Sequence, residues 1–149
     1  MAIKDTAKFY EENKYCVIRE FIPPILADYL YGYAQMRANR AKTMFNSKWP
    51  DYRPDVDGTY TDQQVPNTYS CYGDPAMETL LQYGLKGMRD ITGLNLKPTY
   101  SYWRLYKTGD ILKRHKDRPS CEVSTTLCLG YDNTNLKGRK KDWDKYDWP

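Results

Sequence analysis

The apolar periodicity of the chain changes several times along its length. Residues 15–22, YCVIREFI, have the aromatic and β-branched content of a short strand, closed by Pro23 and Pro24. Pro24 then suits the first turn of a helix running through ILADYLYGYAQMRANRAKTM. Leu26, Tyr29, Leu30, Tyr33 and Met36 fall at helical spacing there and are its expected buried stripe. From Phe45 to Tyr72 the period is lost. Residues 45–72 are rich in Pro, Asp, Asn, Gly and Thr, which predicts one long irregular loop. It is too aromatic for a disordered linker, and loops of this length are usually functional, so it is a candidate lid. Residues 74–93 restore a helical pattern, with Asp74 as N-cap, Pro75 in the first turn and Gly93 closing the end. Met77, Leu80, Leu81, Leu85 and Met88 share one face, while Gly84 and Gly87 weaken the helix by roughly 1 kcal/mol each.

After residue 97 the period becomes two. In 98–106 the residues Tyr100, Tyr102, Arg104 and Tyr106 alternate with Ser101, Trp103 and Leu105. KTGD (107–110) is a tight turn with Gly109 free to take a positive φ. Residues 111–117 are expected to form a second strand and 121–132, rich in β-branched residues, a third. The tail, 133–149, is basic and irregular. The order is strand, helix, loop, helix and three strands: an α+β chain whose β-structure is only beginning when the sequence stops. No internal repeat is present.

The 149 residues fit a single domain able to bury a core. There is no apolar run of about 18 residues, which excludes a membrane-spanning helix, and the N-terminus lacks the apolar stretch of an export signal. Four scattered cysteines without a CxxC pair are then expected as reduced thiols in a cytoplasm. With one histidine, the usual four-ligand structural zinc site has no ligand set. The formal charge of +4 is modest but local: Arg104, Lys107, Lys113, Arg114, Lys116 and Arg118 face only Asp110 and Asp117. Such a surface accepts an anionic small molecule, an acidic peptide or nucleic acid.

The one histidine, His115, stands two residues before Asp117. Side chains at i and i+2 of a strand project from the same face, so an imidazole nitrogen and a carboxylate oxygen are offered to one ion. That donor mix suits Fe(II). YKTGDILKRHKD followed by CEVSTTLCLGYD resembles the opening strands of the double-stranded β-helix, a jelly-roll or cupin-like barrel, of Fe(II)- and 2-oxoglutarate-dependent dioxygenases. The prolyl 4-hydroxylase-like branch is the nearest, including versions found in marine phage and bacterial sequences. Tyr106, Gly109, His115, Asp117 and Asp132 match its motif in order.

The resemblance implies an oxidoreductase. His115 and Asp117 would be two of three iron ligands, and Tyr106 would bond 2-oxoglutarate. Tyr102 and Arg104 would line the cosubstrate pocket, and Thr126, Cys128 and Gly130 would face inward from the third strand. Fe(II) and 2-oxoglutarate would be the cofactor and cosubstrate, with ascorbate as an aid. O2 and a peptidyl side chain such as proline would be consumed, in the cytoplasm of a bacterial or phage-infected cell. Two departures stand out. Gly130 sits where family members often have Tyr, and the distal histidine and its following Arg or Lys have no counterpart in the chain. The sequence therefore reads as the N-terminal part of such a domain, 1–149, expected to be inactive alone. It would need a C-terminal segment or a second copy at its open sheet edge. A different class stays open: a non-catalytic module binding single-stranded nucleic acid through the basic, aromatic strands 98–118, or an oxygenase acting on nucleic acid.

Overall fold

The computed structural model describes residues 3–132; the basic tail, 133–149, lies outside the described residues. Among the described residues four helices and two strands follow in the order α1 (Ile3–Asn13), α2 (Pro24–Asn46), α3 (Pro54–Asp57), β1 (Tyr69–Tyr72), α4 (Pro75–Thr92) and β2 (Tyr102–Leu105). The fold class is α+β, with one two-stranded antiparallel sheet. Tyr69 stands opposite Leu105, Ser70 opposite Arg104, Cys71 opposite Trp103 and Tyr72 opposite Tyr102. No helix among the described residues is long and apolar enough to cross a membrane.

Helix α4 forms where its capping residues predict. The Asp74 side chain accepts from the N–H groups of Ala76 and Met77, Pro75 follows, and Gly93 closes the helix in the left-handed conformation at φ 70°. Its glycines make room rather than slack: a Cβ at Gly87 would lie 2.8 Å from the Phe21 ring and one at Gly84 3.1 Å from it. Helix α2 also starts at Pro24, but the expected stripe is rotated. Tyr29 and Met36 are exposed, and the buried residues are Leu30, Ala34, Ala38 and Ala41. The small side chains let the helix approach the sheet closely, which a ranking by hydrophobicity does not anticipate.

One face of the sheet, carrying Tyr69, Cys71, Trp103 and Leu105, packs on the helices. Ile22, Leu30, Ala34 and Met77 form one cluster, and Ala38, Ala41, Tyr69 and Cys71 another; Trp103 and Leu105 touch both. The opposite face, with Ser70, Tyr72, Tyr102 and Arg104, is left for the loops.

Three sequence expectations are corrected. Residues 15–22 are not a strand: they run through coil and a turn with Glu20 at φ 54°, and Phe21 and Ile22 drop into the helical core. The 45–72 segment is not one irregular loop, since it contains α3 and β1. Residues 111–117 and 121–132 form no strands. Leu127 and Leu129 still pack on the helical cluster while Thr126 and Cys128 are exposed, so the alternation survives without a hydrogen-bonding neighbour to make a ladder. The double-stranded β-helix is therefore not assembled by the described residues.

The turn into β1 depends on Gly58, whose φ is 84°. A Cβ there would lie 2.5 Å from the Tyr69 ring and 2.8 Å from the Ser70 carbonyl oxygen. Gly58→Ala is expected to destabilise the fold by about 1–3 kcal/mol, combining backbone strain with overpacking. Urea unfolding of the variant checks this.

Candidate functional site

The outer face of the sheet holds a compact polar cluster. Asp62, from the loop before β1, accepts from the Tyr102 hydroxyl at 2.5 Å and from Arg104 Nε and Nη2 at 3.1 and 2.5 Å, all on Oδ2. Its Oδ1 caps the Gln64 N–H at 2.8 Å, and the Gln64 side chain takes a further bond from Arg104. The arginine also lies over the Tyr102 ring, 4.6 Å from its centroid. Desolvation pushes the Asp62 carboxyl up, but the bonds from Tyr102 and Arg104 outweigh it and leave it below the usual range. Arg104 is charged and further supported by Tyr106. The alternation read from the sequence thus brings Tyr102, Arg104 and Tyr106 to one side. Asp62 was not anticipated, because nothing periodic marks a single acid within an irregular stretch.

Asp110 holds the next turn. Its carboxylate accepts from the Thr68 hydroxyl, the Lys107 N–H and the Lys107 ammonium, the last at 2.6 Å. Desolvation raises its pKa, yet these bonds hold it at about 2, below the usual 3.8. A carboxylate lowered on folding stabilises above its unfolded value, and that contribution disappears as pH falls toward the folded value. Thermal stability is therefore expected to drop from pH 3.8 down to about pH 2. The drop should be shallower in Asp110→Asn, as melting curves across that range would show.

Beyond the turn, residues 111–121 are tied to the sheet by aromatic contacts. Tyr72 and Tyr100 stack at 5.0 Å, and the Arg118 guanidinium lies 4.2 Å from the Tyr100 centroid and 5.6 Å from that of Tyr72. The Cys121 thiol reaches the Tyr100 hydroxyl at 3.4 Å. These anchors flank the histidine segment. His115 Nδ1 lies 2.9 Å from the Lys113 carbonyl oxygen. A carbonyl only accepts, so Nδ1 carries the proton and, in the neutral ring, Nε2 carries the lone pair. That Nε2 is 3.6 Å from Asp117 Oδ1, while Ser124 donates to Oδ2 at 2.5 Å. The two atoms are close enough to share a proton or, with the ring neutral, to offer two donors to one cation. The side chains of His115 and Asp117 are 37% and 40% exposed, so an ion can reach them.

The sequence-predicted residues fall into two groups. The His115 and Asp117 side chains approach to 3.6 Å, although on irregular chain after a bend at Arg114 rather than on a strand. Tyr102 and Arg104 converge on Asp62, and Tyr106 lies beyond them on the same side of the strand, exposed. Thr126 is exposed on the side away from the helices. A side chain at position 130 would meet the Tyr31 ring at 2.8 Å, which explains glycine there. No group of three or more His, Cys, Asp or Glu side chains able to hold a metal is found among the described residues. For Fe(II), the imidazole and carboxylate fit as two corners of a site, with the Lys113 carbonyl and Ser124 hydroxyl orienting them from behind. Comparison of the chain with protein-family models, curated proteins and solved structures gave no match.

Proposed function

We propose that the chain forms the N-terminal part of an Fe(II)- and 2-oxoglutarate-dependent oxygenase of the prolyl 4-hydroxylase-like type, acting on a peptidyl side chain such as proline. The observation that carries the reading is the His115–Asp117 pair: a lone-pair nitrogen 3.6 Å from a carboxylate oxygen, each held by a second partner. The motif resemblance in the sequence supports the same assignment. When bound, the metal supplies the oxygen chemistry that couples decarboxylation of 2-oxoglutarate to oxidation of a substrate C–H bond.

The protein's own residues supply orientation. Lys113 fixes the imidazole tautomer, and Ser124 occupies Asp117 Oδ2, which would leave Oδ1 to hold the ion. Tyr106 and, with Asp62 displaced, Tyr102 and Arg104 would offer hydroxyl and guanidinium donors to a carboxylate of the cosubstrate. Asp62 and Gln64 lie against Arg104 on that face. The second histidine of the resembled motif would come from a further polypeptide segment, since the chain has a single histidine. Among the described residues β2 pairs only with β1, and its other edge is where a strand of that segment, or of a second copy, would add.

A nucleic-acid-binding module has weaker support. Trp103 packs on the helical core, Arg104 is neutralised by Asp62, and the Tyr72–Tyr100 stack is capped by Arg118.

Succinate release with Fe(II), ascorbate and 2-oxoglutarate tests the proposal. The 149-residue chain alone should give none, and adding a segment that supplies the second histidine in trans should start turnover. Robust iron-dependent succinate formation by the isolated chain would contradict the half-site.

A further inference from the structure

The Asp62 cluster contains more recognition chemistry than a surface ion pair needs. One carboxylate oxygen collects three donors from two neighbouring β2 residues, and the partners are nearly enclosed, with side-chain exposures of 8% for Arg104 and 13% for Asp62. A planar guanidinium beside a tyrosine hydroxyl is the geometry by which proteins bind a carboxylate from solution. Ser70, directly opposite Arg104 across the ladder, is fully buried on the same face. Its hydroxyl bears on the Tyr102 phenol, opposing the raising effect of desolvation and of Asp62.

The segment that delivers Asp62 is held differently along its length. Val65 and Thr68 are buried, and Thr59 bridges to Ser70, so both ends of the loop are fixed. Thr61, Gln63 and Gln64 are exposed. The tip, residues 61–64, is thus tied to the sheet through the Asp62 carboxylate and the Gln64 amide.

We propose that Tyr102 and Arg104, with Ser70, form a receptor for the carboxylate of a small organic acid, and that Asp62 is its built-in occupant. The acid and the 61–64 tip compete for one place, so binding the acid releases the tip and the tip holds the face closed when no acid is present. This rests on the oxygenase reading for its choice of acid, a 2-oxo dicarboxylate; the receptor itself rests only on the geometry of the cluster.

The test is metal-free binding of 2-oxoglutarate and of succinate, followed by ligand-detected NMR, to the 149-residue chain and its variants. Sulfate at matched ionic strength is the control. Asp62→Ala empties the receptor and should tighten both acids at least tenfold over the parent chain, with no comparable gain for sulfate. Arg104→Gln added to Asp62→Ala should remove the gain. Asp62→Asn, which keeps the side-chain shape and a cap for Gln64, should show a smaller gain of the same kind and serves if the alanine variant does not fold. No gain in a folded Asp62 variant, an equal gain for sulfate, or a gain that survives loss of Arg104 would each overturn the proposal. Because no metal is present, such a failure would leave the His115–Asp117 assignment untouched. Tight acid binding with no metal effect at His115 would sink the oxygenase reading and leave the receptor standing.

Discussion

Replacing Asp74 with alanine is expected to cost about 3–5 kcal/mol, a large share of the 5–15 kcal/mol that holds a typical domain. The carboxylate is fully buried and serves three elements at once. It caps α4 through the N–H groups of Ala76 and Met77, and accepts the Tyr33 hydroxyl of α2 at 2.9 Å. It also lies 3.3 Å from Arg37 Nε, whose side chain is only 17% exposed and whose Nη2 donates to the Val56 carbonyl at 2.6 Å. Desolvation, with the Asp74 bond behind it, pushes the Tyr33 phenol up to about 12. Without the carboxylate, Arg37 becomes a buried charge with no counter-ion and two helix N–H groups lose their acceptor. Loss of the cap alone would account for about 0.5–2 kcal/mol. Asp74→Asn keeps an acceptor for the cap and loses the charge, so it should fall between the two. Urea unfolding of both variants measures the order; a loss below about 1 kcal/mol for the alanine variant would show that Arg37 finds another partner.

The second large effect is on metal binding. Asp117→Ala removes one of two protein donors and also frees Ser124, while His115→Ala removes the other and leaves the Lys113 carbonyl without its donor. Each is expected to lower Mn(II) or Fe(II) affinity roughly 100-fold or more, which is about 2.7 kcal/mol. Ser124→Ala, which leaves both ligands in place, should cost about tenfold through lost orientation. Calorimetric titration separates these cases. Equal affinities in all the variants would mean that the ion binds elsewhere.

The parts of the fold legible in the sequence are those fixed by local chemistry. Asp74, Pro75 and Gly93 bound α4 because capping, proline and the left-handed terminus act within a few residues. Gly109 marks its turn, at φ 91°, for the same reason. The rest depended on distant partners. Helix α1 is mostly polar and is held by packing against α4. Strand β1 hides in NTYSCYG, where only the alternation of Tyr69 and Cys71 against Ser70 and Tyr72 hints at it. The segments 15–22, 111–117 and 121–132 have strand composition, but a strand also needs a neighbour, and composition carries no information about neighbours. In the candidate site, the i and i+2 spacing of His115 and Asp117 was readable. The Arg118 contact on two tyrosines and the Asp62 bond to β2 join residues 18 to 46 positions apart, measured from Arg118 to Tyr100 and from Arg118 to Tyr72, and left no local trace.

The lone histidine makes the central claim directly measurable, because its imidazole proton signals in an NMR spectrum belong to one residue. Mn(II) added at a small fraction of the protein concentration should broaden the His115 ring signals before most others, and Asp117→Ala should abolish that selectivity. His115 signals that stay sharp while other residues broaden, or that broaden equally in Asp117→Ala, would contradict a metal held between these two side chains.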